Sequence, residues 1–289
     1  MTPTARASIL LALAAGAAFA APLPAQTALL ADDPIDEPVN EPEWLRRALK
    51  ADSLAELNEA LADAGRPSGT RTPFNEADLF FEENATAGDL GIHFAIDHAS
   101  EDAWRRVTIF FPNGERFINA RAGGSEAEIG VTGLFSESAE PSYDNLPRDE
   151  FLDMFPEGEY TFVGWTINGN MLVSTDVLTH NIPLEPVSIT PEEGDIVDYD
   201  RPLIIRWRRT PDPAPPESVI ISYEVIVTKE QEDEPKRVIS VQLLPTQRSV
   251  RIPVEFLEPD KNYKYEIVAK ETSGNQTITE VAFRTEADD

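Results

Sequence analysis

An acidic segment within residues 82–97 offers the best set of oxygen ligands in the chain. Four acids and an amide make up this set: Glu82, Glu83, Asn84, Asp89 and Asp97. Ca²⁺ prefers several carboxylate, amide and carbonyl oxygens, and two glycines in the segment allow carbonyls to turn inward. The spacing differs from that of an EF-hand loop. We therefore predict calcium as the candidate cofactor, with a solvated acidic turn as the alternative.

Histidine supplies the other metal ligands, because the chain has no cysteine. His93 and His98 are five residues apart on a predicted strand, so their side chains should point to opposite faces. His180 is distant from both in sequence, and we predict no zinc triad of histidines. The lack of cysteine also excludes disulfides, thiolate metal sites and a cysteine nucleophile.

Catalytic motifs are missing from the sequence. It contains no G-x-S-x-G, no P-loop and no G-x-G-x-x-G, and Gly123-Gly124-Ser125 is an isolated glycine pair typical of a loop. Carboxylate pairs for glycoside hydrolysis could be drawn from 52 acids, so no pair stands out. We predict a protein without catalytic activity, and a hydrolase acting on envelope or extracellular polymer is the alternative.

A strip of Trp104, Thr108 and Phe110 lies on one face of a predicted strand, opposite Val107 and Ile109. If this face is exposed, its aromatic rings could stack on sugars or contact a protein partner. The alternative is that the N-terminal helices, or a short helix near residue 151, cover the two aromatic side chains. The sequence leaves both interpretations open.

The charge balance narrows the class of partner. Lys and Arg number 24 against 52 Asp and Glu, which gives a formal net charge of -28. Such a chain repels phosphate backbones, and it has no block rich in Lys or Arg. We therefore predict no nucleic-acid binding, and a protein or polysaccharide partner instead.

The N-terminal residues 1–21 have the pattern of a secretory signal peptide. Arg6 precedes an apolar run that ends in small residues, and the run is too short to span a membrane comfortably. We predict an exported bacterial protein, periplasmic or extracellular, without a membrane span after signal cleavage. Residues 22–40 are rich in Pro, Asp and Glu, which indicates an extended acidic tether.

Residues 41–66 predict two short helices. Pro42 suits the first turn of one helix, and Ser53 and Glu56 have capping-box spacing at the start of the other. From residue 74 the apolar period changes to two, and Asn113-Gly114 and Asn168-Gly169 mark hairpin turns between strands. Residues 74–183 are therefore predicted to form an antiparallel β-sandwich.

Prolines at 183, 186 and 191 predict a boundary, after which residues 184–287 contain about seven short strands. The run Leu257–Ala269 resembles the L-x-P-x-x-x-Y-x-V-x-V-x-A pattern of fibronectin type III domains. Trp207, Tyr223, Gly274 and Phe283 stand where that family keeps characteristic residues. The resemblance implies an immunoglobulin-like sandwich whose corner tyrosine, Tyr263, hydrogen-bonds back to the preceding chain.

Together these patterns predict an all-β protein of two tandem antiparallel β-sandwiches preceded by two short helices. Ser273-Gly274-Asn275 replaces the Arg-Gly-Asp that some fibronectin type III domains carry, so integrin-type adhesion is not implied. We expect a non-catalytic binding or interaction module. A calcium-stabilised structural spacer is a further alternative.

Overall fold

The computed structural model of the protein describes residues 43–64, 71–208, 218–230 and 235–288. The predicted signal peptide, residues 1–21, and the acidic tether, residues 22–40, lie outside these residues. Within the described ranges, no helix has both the length and the apolar character that a membrane crossing requires.

Short helices and many strands make up the described part of the chain. The helices are α1 (Glu43–Lys50), α2 (Leu54–Asp63), α3 (Glu126–Ile129) and α4 (Arg148–Asp153). The strands of the first half are β1 (Glu76–Asn84), β2 (Asp89–Asp97), β3 (Trp104–Phe110), β4 (Arg116–Arg121), β5 (Gly133–Glu137), β6 (Gly158–Thr166) and β7 (Met171–Leu178). Those of the second half are β8 (Val187–Thr190), β9 (Ile196–Val197), β10 (Leu203–Arg208), β11 (Ile220–Lys229), β12 (Arg237–Leu243), β13 (Ser249–Ile252), β14 (Asn262–Glu271) and β15 (Gln276–Thr285).

The two predicted N-terminal helices are present as α1 and α2. The Ser53 side chain accepts a hydrogen bond from the backbone N–H of Glu56 at 3.2 Å, and the Glu56 carboxylate accepts one from the N–H of Asp52 at 2.9 Å. These two bonds satisfy donors that the first turn of a helix leaves unpaired. Leu45 and Leu57 on the inner faces pack on the outer side of the first sandwich.

The first half is a sandwich of two sheets. Strands β4, β3, β6 and β7 form one sheet in that order, and β1, β2 and β5 lie together in the other. The hairpin β3–β4 turns at Asn113-Gly114 and β6–β7 turns at Asn168-Gly169, as predicted. Both turn glycines have positive φ, which favours glycine at these positions. Their sheets enclose a core that includes Phe81, Phe94, Val107, Ile109 and Phe162.

The second half has the strand order of a fibronectin type III sandwich, which confirms the resemblance. A sheet of β13, β10 and β8 packs against β12, β11, β14 and β15. Trp207 of β10 and Tyr223 of β11 meet in the core, with ring centroids 5.5 Å apart. The alternating burial along β10 follows directly from the alternating apolar residues in its sequence.

Tyr263 forms the corner that the resemblance implies. Its hydroxyl accepts a hydrogen bond from the backbone N–H of Glu258 at 2.9 Å and donates one to the carbonyl of Phe256 at 3.3 Å. The ring is buried and stacks on Phe283 with centroids 5.3 Å apart. This side chain therefore fixes the path of the chain into β14.

We expect Tyr263→Phe to lower the free energy of unfolding by about 1–2 kcal/mol, because it leaves a buried N–H and a buried carbonyl without their partner. Urea denaturation followed by tryptophan fluorescence measures the change. Tyr199→Phe is the matched control, since the Tyr199 hydroxyl bonds Asp288 at an exposed site. A loss equal to that of the control would contradict this role for the corner.

The two sandwiches share one sheet, a feature that the sequence did not predict. Strand β1 of the first half pairs in parallel with β15 of the second, with Glu82 opposite Gln276 and Asn84 opposite Ile278. The result is an eight-stranded sheet that runs through both halves. We call this β1–β15 junction the seam.

Buried polar side chains hold the seam together. Asn275, which is fully buried, accepts a hydrogen bond from the N–H of Phe81 at 2.8 Å. Its amide donates to the carbonyls of Thr179 at 2.8 Å and Asn181 at 3.3 Å. In addition, the Thr279 hydroxyl donates to the carbonyl of Pro186 at 2.6 Å. The proline-containing connection between the halves is therefore fastened along β15.

Candidate functional site

A cluster of two carboxylates and an imidazole lies beside the seam. Glu82 comes from β1, His93 from β2 and Glu140 from the segment after β5. The Nε2 atom of His93 is 3.9 Å from Oε1 of Glu82 and 3.6 Å from Oε1 of Glu140. One ligand atom from each residue lies within 4.8 Å of the others. We call these three residues the seam triad.

The imidazole of His93 is buried without a hydrogen bond. The residue is 2% exposed, and neither ring nitrogen has a hydrogen-bonding partner. The ring stacks on Phe80 with centroids 5.2 Å apart, and Phe135 lies 5.6 Å from it. A buried polar group left unpaired costs about 1–3 kcal/mol, so this arrangement calls for a ligand or a function.

Gly91 makes the seam triad possible. A Cβ atom at this position would lie 2.7 Å from Oε1 of Glu140 and 3.2 Å from Nε2 of His93. The first distance is shorter than ordinary Cβ contacts, so a side chain at position 91 would force the Glu140 carboxylate to move. Gly91 lies two residues before the histidine, on the same face of β2, and it leaves the space that the Glu140 carboxylate occupies.

The electrostatics of the seam triad favour bound positive charge. Burial raises the pKa of Glu82 to about 7, although the neighbouring His93 opposes this shift. Burial lowers the pKa of His93, but the carboxylates of Glu140, Glu82 and Glu137 outweigh burial and leave it raised. A cation at the centre of the cluster would stabilise both ionised carboxylates.

The five residues predicted as calcium ligands are not gathered at one point. Glu82 and Glu83 are consecutive on β1 and point to opposite faces, because side chains alternate along a strand. Glu83 pairs with Arg148 at 3.0 Å, and the Asn84 side chain accepts backbone N–H groups of its own turn. Asp97, at the far end of β2, accepts a hydrogen bond from the Asn75 amide at 3.3 Å.

Asp89 is the member of this set with an unexplained buried oxygen. Its Oδ1 has no hydrogen-bonding partner, and burial raises its pKa to about 6, helped by the charges of Glu140 and Glu280. Asp89 therefore adds negative potential near the seam triad. Calcium binding by the segment stays a prediction.

The aromatic strip of Trp104, Thr108 and Phe110 is not an exposed ligand face. Trp104 and Phe110 are 2% and 1% exposed. A bulge between Trp104 and Arg106 moves the indole into the core beside Val107, where its N–H donates to the carbonyl of Thr132 at 3.3 Å. Phe110 is covered by α1 and α2, and Thr108 is only partly exposed. The strict alternation assumed from the sequence failed because the bulge shifts the register.

An exposed face of the second sandwich combines arginine with aliphatic side chains. The outward residues of β8, β10 and β13 are Val187, Ile189, Ile204, Arg206, Arg208, Ser249 and Arg251, and all are exposed. None of the residues of these three strands is acidic. We call this surface the arginine face. The arginine face could have been found from the sequence, because in the run Leu203–Arg208 the arginines occupy alternate positions between apolar residues that point inward.

Comparison with known proteins supplies fold neighbours. No protein-family model matches the chain, and no curated protein matches it as a relative. The chicken CNTN1 FN1-FN3 domains are 13% identical, with a TM-score of 0.31, over 75% of this chain and 69% of that one. The Clostridium thermocellum CbhA fibronectin(III)-like modules are 10% identical, with a TM-score of 0.29, over 73% of this chain and 94% of that one. Fold alone names no partner, so function must be argued from the surfaces described above.

Proposed function

We propose that the protein is an exported, non-catalytic interaction module that binds an acidic segment of a partner protein on its arginine face. The observation that carries the proposal is the arginine face itself. It places Arg206 and Arg208 of β10 beside Arg251 of β13, on a sheet whose three strands contain no acid, in a chain of net charge -28. The signal-peptide pattern of residues 1–21 supports export.

The arginines of this face are available to a partner. Among the described residues, no carboxylate forms an ion pair with Arg206, Arg208 or Arg251. An arginine guanidinium binds a carboxylate through two parallel hydrogen bonds, which gives both affinity and orientation. At physiological salt, exposed charges that are more than about 8 Å apart are largely screened from each other, so distant acids of the protein repel the segment only weakly. Arg206, Arg208 and Arg251 are the only charged residues of β8, β10 and β13, so they are the charges that a segment lying across these strands would meet.

The aliphatic side chains favour a protein segment over a purely charged polymer. Ile204 lies directly opposite Arg251, and Val187 lies opposite Arg208, so apolar and cationic side chains are neighbours across the sheet. Ile189 adds a further exposed apolar side chain on β8. A segment that alternates acidic and aliphatic residues would match this surface. Among the described residues β8 is the last strand of its sheet, so its outer backbone edge could pair with such a segment.

A fluorescein-labelled peptide of alternating Glu and Val, ten residues long, serves as the probe for this proposal. We expect fluorescence anisotropy to show binding that weakens as salt rises. The double variant Arg206→Glu/Arg251→Glu should lose at least about tenfold in affinity, because two carboxylate partners become repulsive. Circular dichroism checks that the variant keeps the parent fold.

Arg71→Glu/Arg121→Glu is the control, since both arginines are exposed and the change in net charge is the same. We expect the control to bind within about threefold of the parent. An equal loss in both double variants, or equal binding of a Lys-Val peptide, would overturn the proposal. A dimer that only Arg206→Glu/Arg251→Glu disrupts would replace the partner protein with a second copy of this chain.

A further inference from the structure

We infer that the seam triad binds a zinc ion through Nε2 of His93 and one carboxylate oxygen each of Glu82 and Glu140. This inference is independent of the arginine face, which lies on another sheet. Zinc accepts imidazole nitrogen together with carboxylate oxygen, whereas Ca²⁺ takes oxygen ligands. The histidine therefore selects a transition metal over the calcium that the acidic segment predicted.

The ligand atoms are close to the spacing that zinc requires. Zinc–ligand distances near 2.1 Å place two ligand atoms of a tetrahedral site roughly 3.4 Å apart. The distances from His93 to Glu140 and Glu82 are 3.6 Å and 3.9 Å, and the whole set fits within 4.8 Å. Each glutamate has three rotatable side-chain bonds, so we expect small rotations to bring the carboxylates closer.

The cluster is looser than a hydrogen-bonded ion pair. The Nε2 atom of His93 lies 3.6 Å from Glu140 and 3.9 Å from Glu82, just beyond ordinary hydrogen-bonding distance from both carboxylates. The ring cannot easily turn toward another partner, because Phe80 stacks on it in a nearly parallel plane, at 8°. A metal ion would use the buried Nε2 lone pair and neutralise the two carboxylates at once.

The surroundings of the seam triad suit a resident ion. The Glu82 carboxylate also accepts a hydrogen bond from the side chain of Gln276 on β15, which orients it as outer partners orient metal ligands. The glutamate side chains are 20% and 25% exposed, so an ion can enter and water can fill a fourth position. A bound zinc would therefore link β1, β2 and the segment after β5, and through Gln276 it would strengthen the seam.

Calorimetric titration of the EDTA-treated, dialysed chain with zinc chloride tests the inference. We expect one zinc per chain, and a melting temperature that rises by about 5 °C at saturating zinc. Cobalt(II) in place of zinc should give the intense visible absorption of a tetrahedral site. Calcium chloride should neither bind with this stoichiometry nor compete with zinc.

Variants distinguish a specific zinc site from non-specific attraction of zinc to acidic residues. Glu140→Gln and Glu82→Gln keep the size of the side chain, and each should lower zinc affinity at least about tenfold. The amide of Glu82→Gln keeps an oxygen that can accept the hydrogen bond from the Gln276 side chain, so we expect the variant to fold. Glu159→Gln is the matched control, since it removes one negative charge at an exposed position of β6, in the other sheet of the first sandwich, and its affinity should stay within about threefold.

Two results would overturn the inference. One is the absence of stoichiometric zinc binding by a parent chain that circular dichroism shows to be folded. The other is an equal loss in Glu159→Gln and Glu140→Gln, which would mean diffuse electrostatic attraction. Tenfold losses confined to the triad variants, with the cobalt spectrum abolished in the same variants, would establish the site.

Discussion

Replacing Asn275 with alanine is expected to lower the free energy of unfolding by about 4 kcal/mol, because one buried side chain satisfies three backbone groups from two distant parts of the chain. The N–H of Phe81 and the carbonyls of Thr179 and Asn181 all lose their partner. Asn275 is fully buried, so water cannot replace these bonds without opening the structure. Both sandwiches should be destabilised, because Phe81 belongs to β1 of the first and Asn275 immediately precedes β15 of the second.

Urea denaturation with tryptophan fluorescence measures this effect, because Trp104 and Trp165 report on the first half and Trp207 on the second. Asn58→Ala makes the same chemical change at an exposed helical position and should alter stability by less than about 0.5 kcal/mol. If Asn275→Ala unfolded at the same urea concentration as the parent, the seam would not contribute to stability.

Phe110→Ala is expected to cost about 3–4 kcal/mol and to release the N-terminal helices from the body of the protein. Phe110 is buried in a cluster with Leu45 and Leu57 of the helices and Trp165 of β6. Short helices are marginal in isolation, so α1 and α2 depend on this apolar surface. The side chain first considered as a ligand contact thus has its main effect on stability.

Limited proteolysis and thermal unfolding check this expectation together. In Phe110→Ala, cleavage within residues 43–64 should become faster than in the parent, because detached helices expose their backbone. Thr108→Ala lies on the same strand at a partly exposed position and should change neither cleavage nor stability by much. Equal behaviour of the two variants would contradict the attachment of the helices through Phe110.

Local patterns predicted the parts of the fold that local physics determines. The capping box of Ser53 and Glu56 needs only four consecutive residues, and the Asn-Gly turns need only two. The corner of Tyr263 was implied by a short family pattern, and it bonds residues five and seven positions earlier. Each of these features depends only on residues close together in the chain, so a short sequence pattern is enough to predict it.

Features that depend on distant residues were not predicted. β5 alternates exposed and half-buried residues and lacks the buried apolar face that marks a strand in a sequence. The seam joins positions 194 residues apart, and no local pattern encodes such a pair. The seam triad follows from both, because Glu140 reaches His93 only after β5 has docked on β2 and Gly91 has left room. The bulge that buries Trp104 was equally invisible to strict alternation.

Strand β15 lies between β14 and β1, and this position constrains the order in which the two halves can finish folding. The ribosome delivers residues 71–183 well before residues 276–285, so until then the Glu82–Asn84 edge of β1 lacks its partner strand β15. Contacts of such long sequence separation form slowly, and an unpaired strand edge is a template for intermolecular pairing. We therefore expect the emerging first half to be more prone to intermolecular strand pairing than the finished chain until β15 pairs with β1.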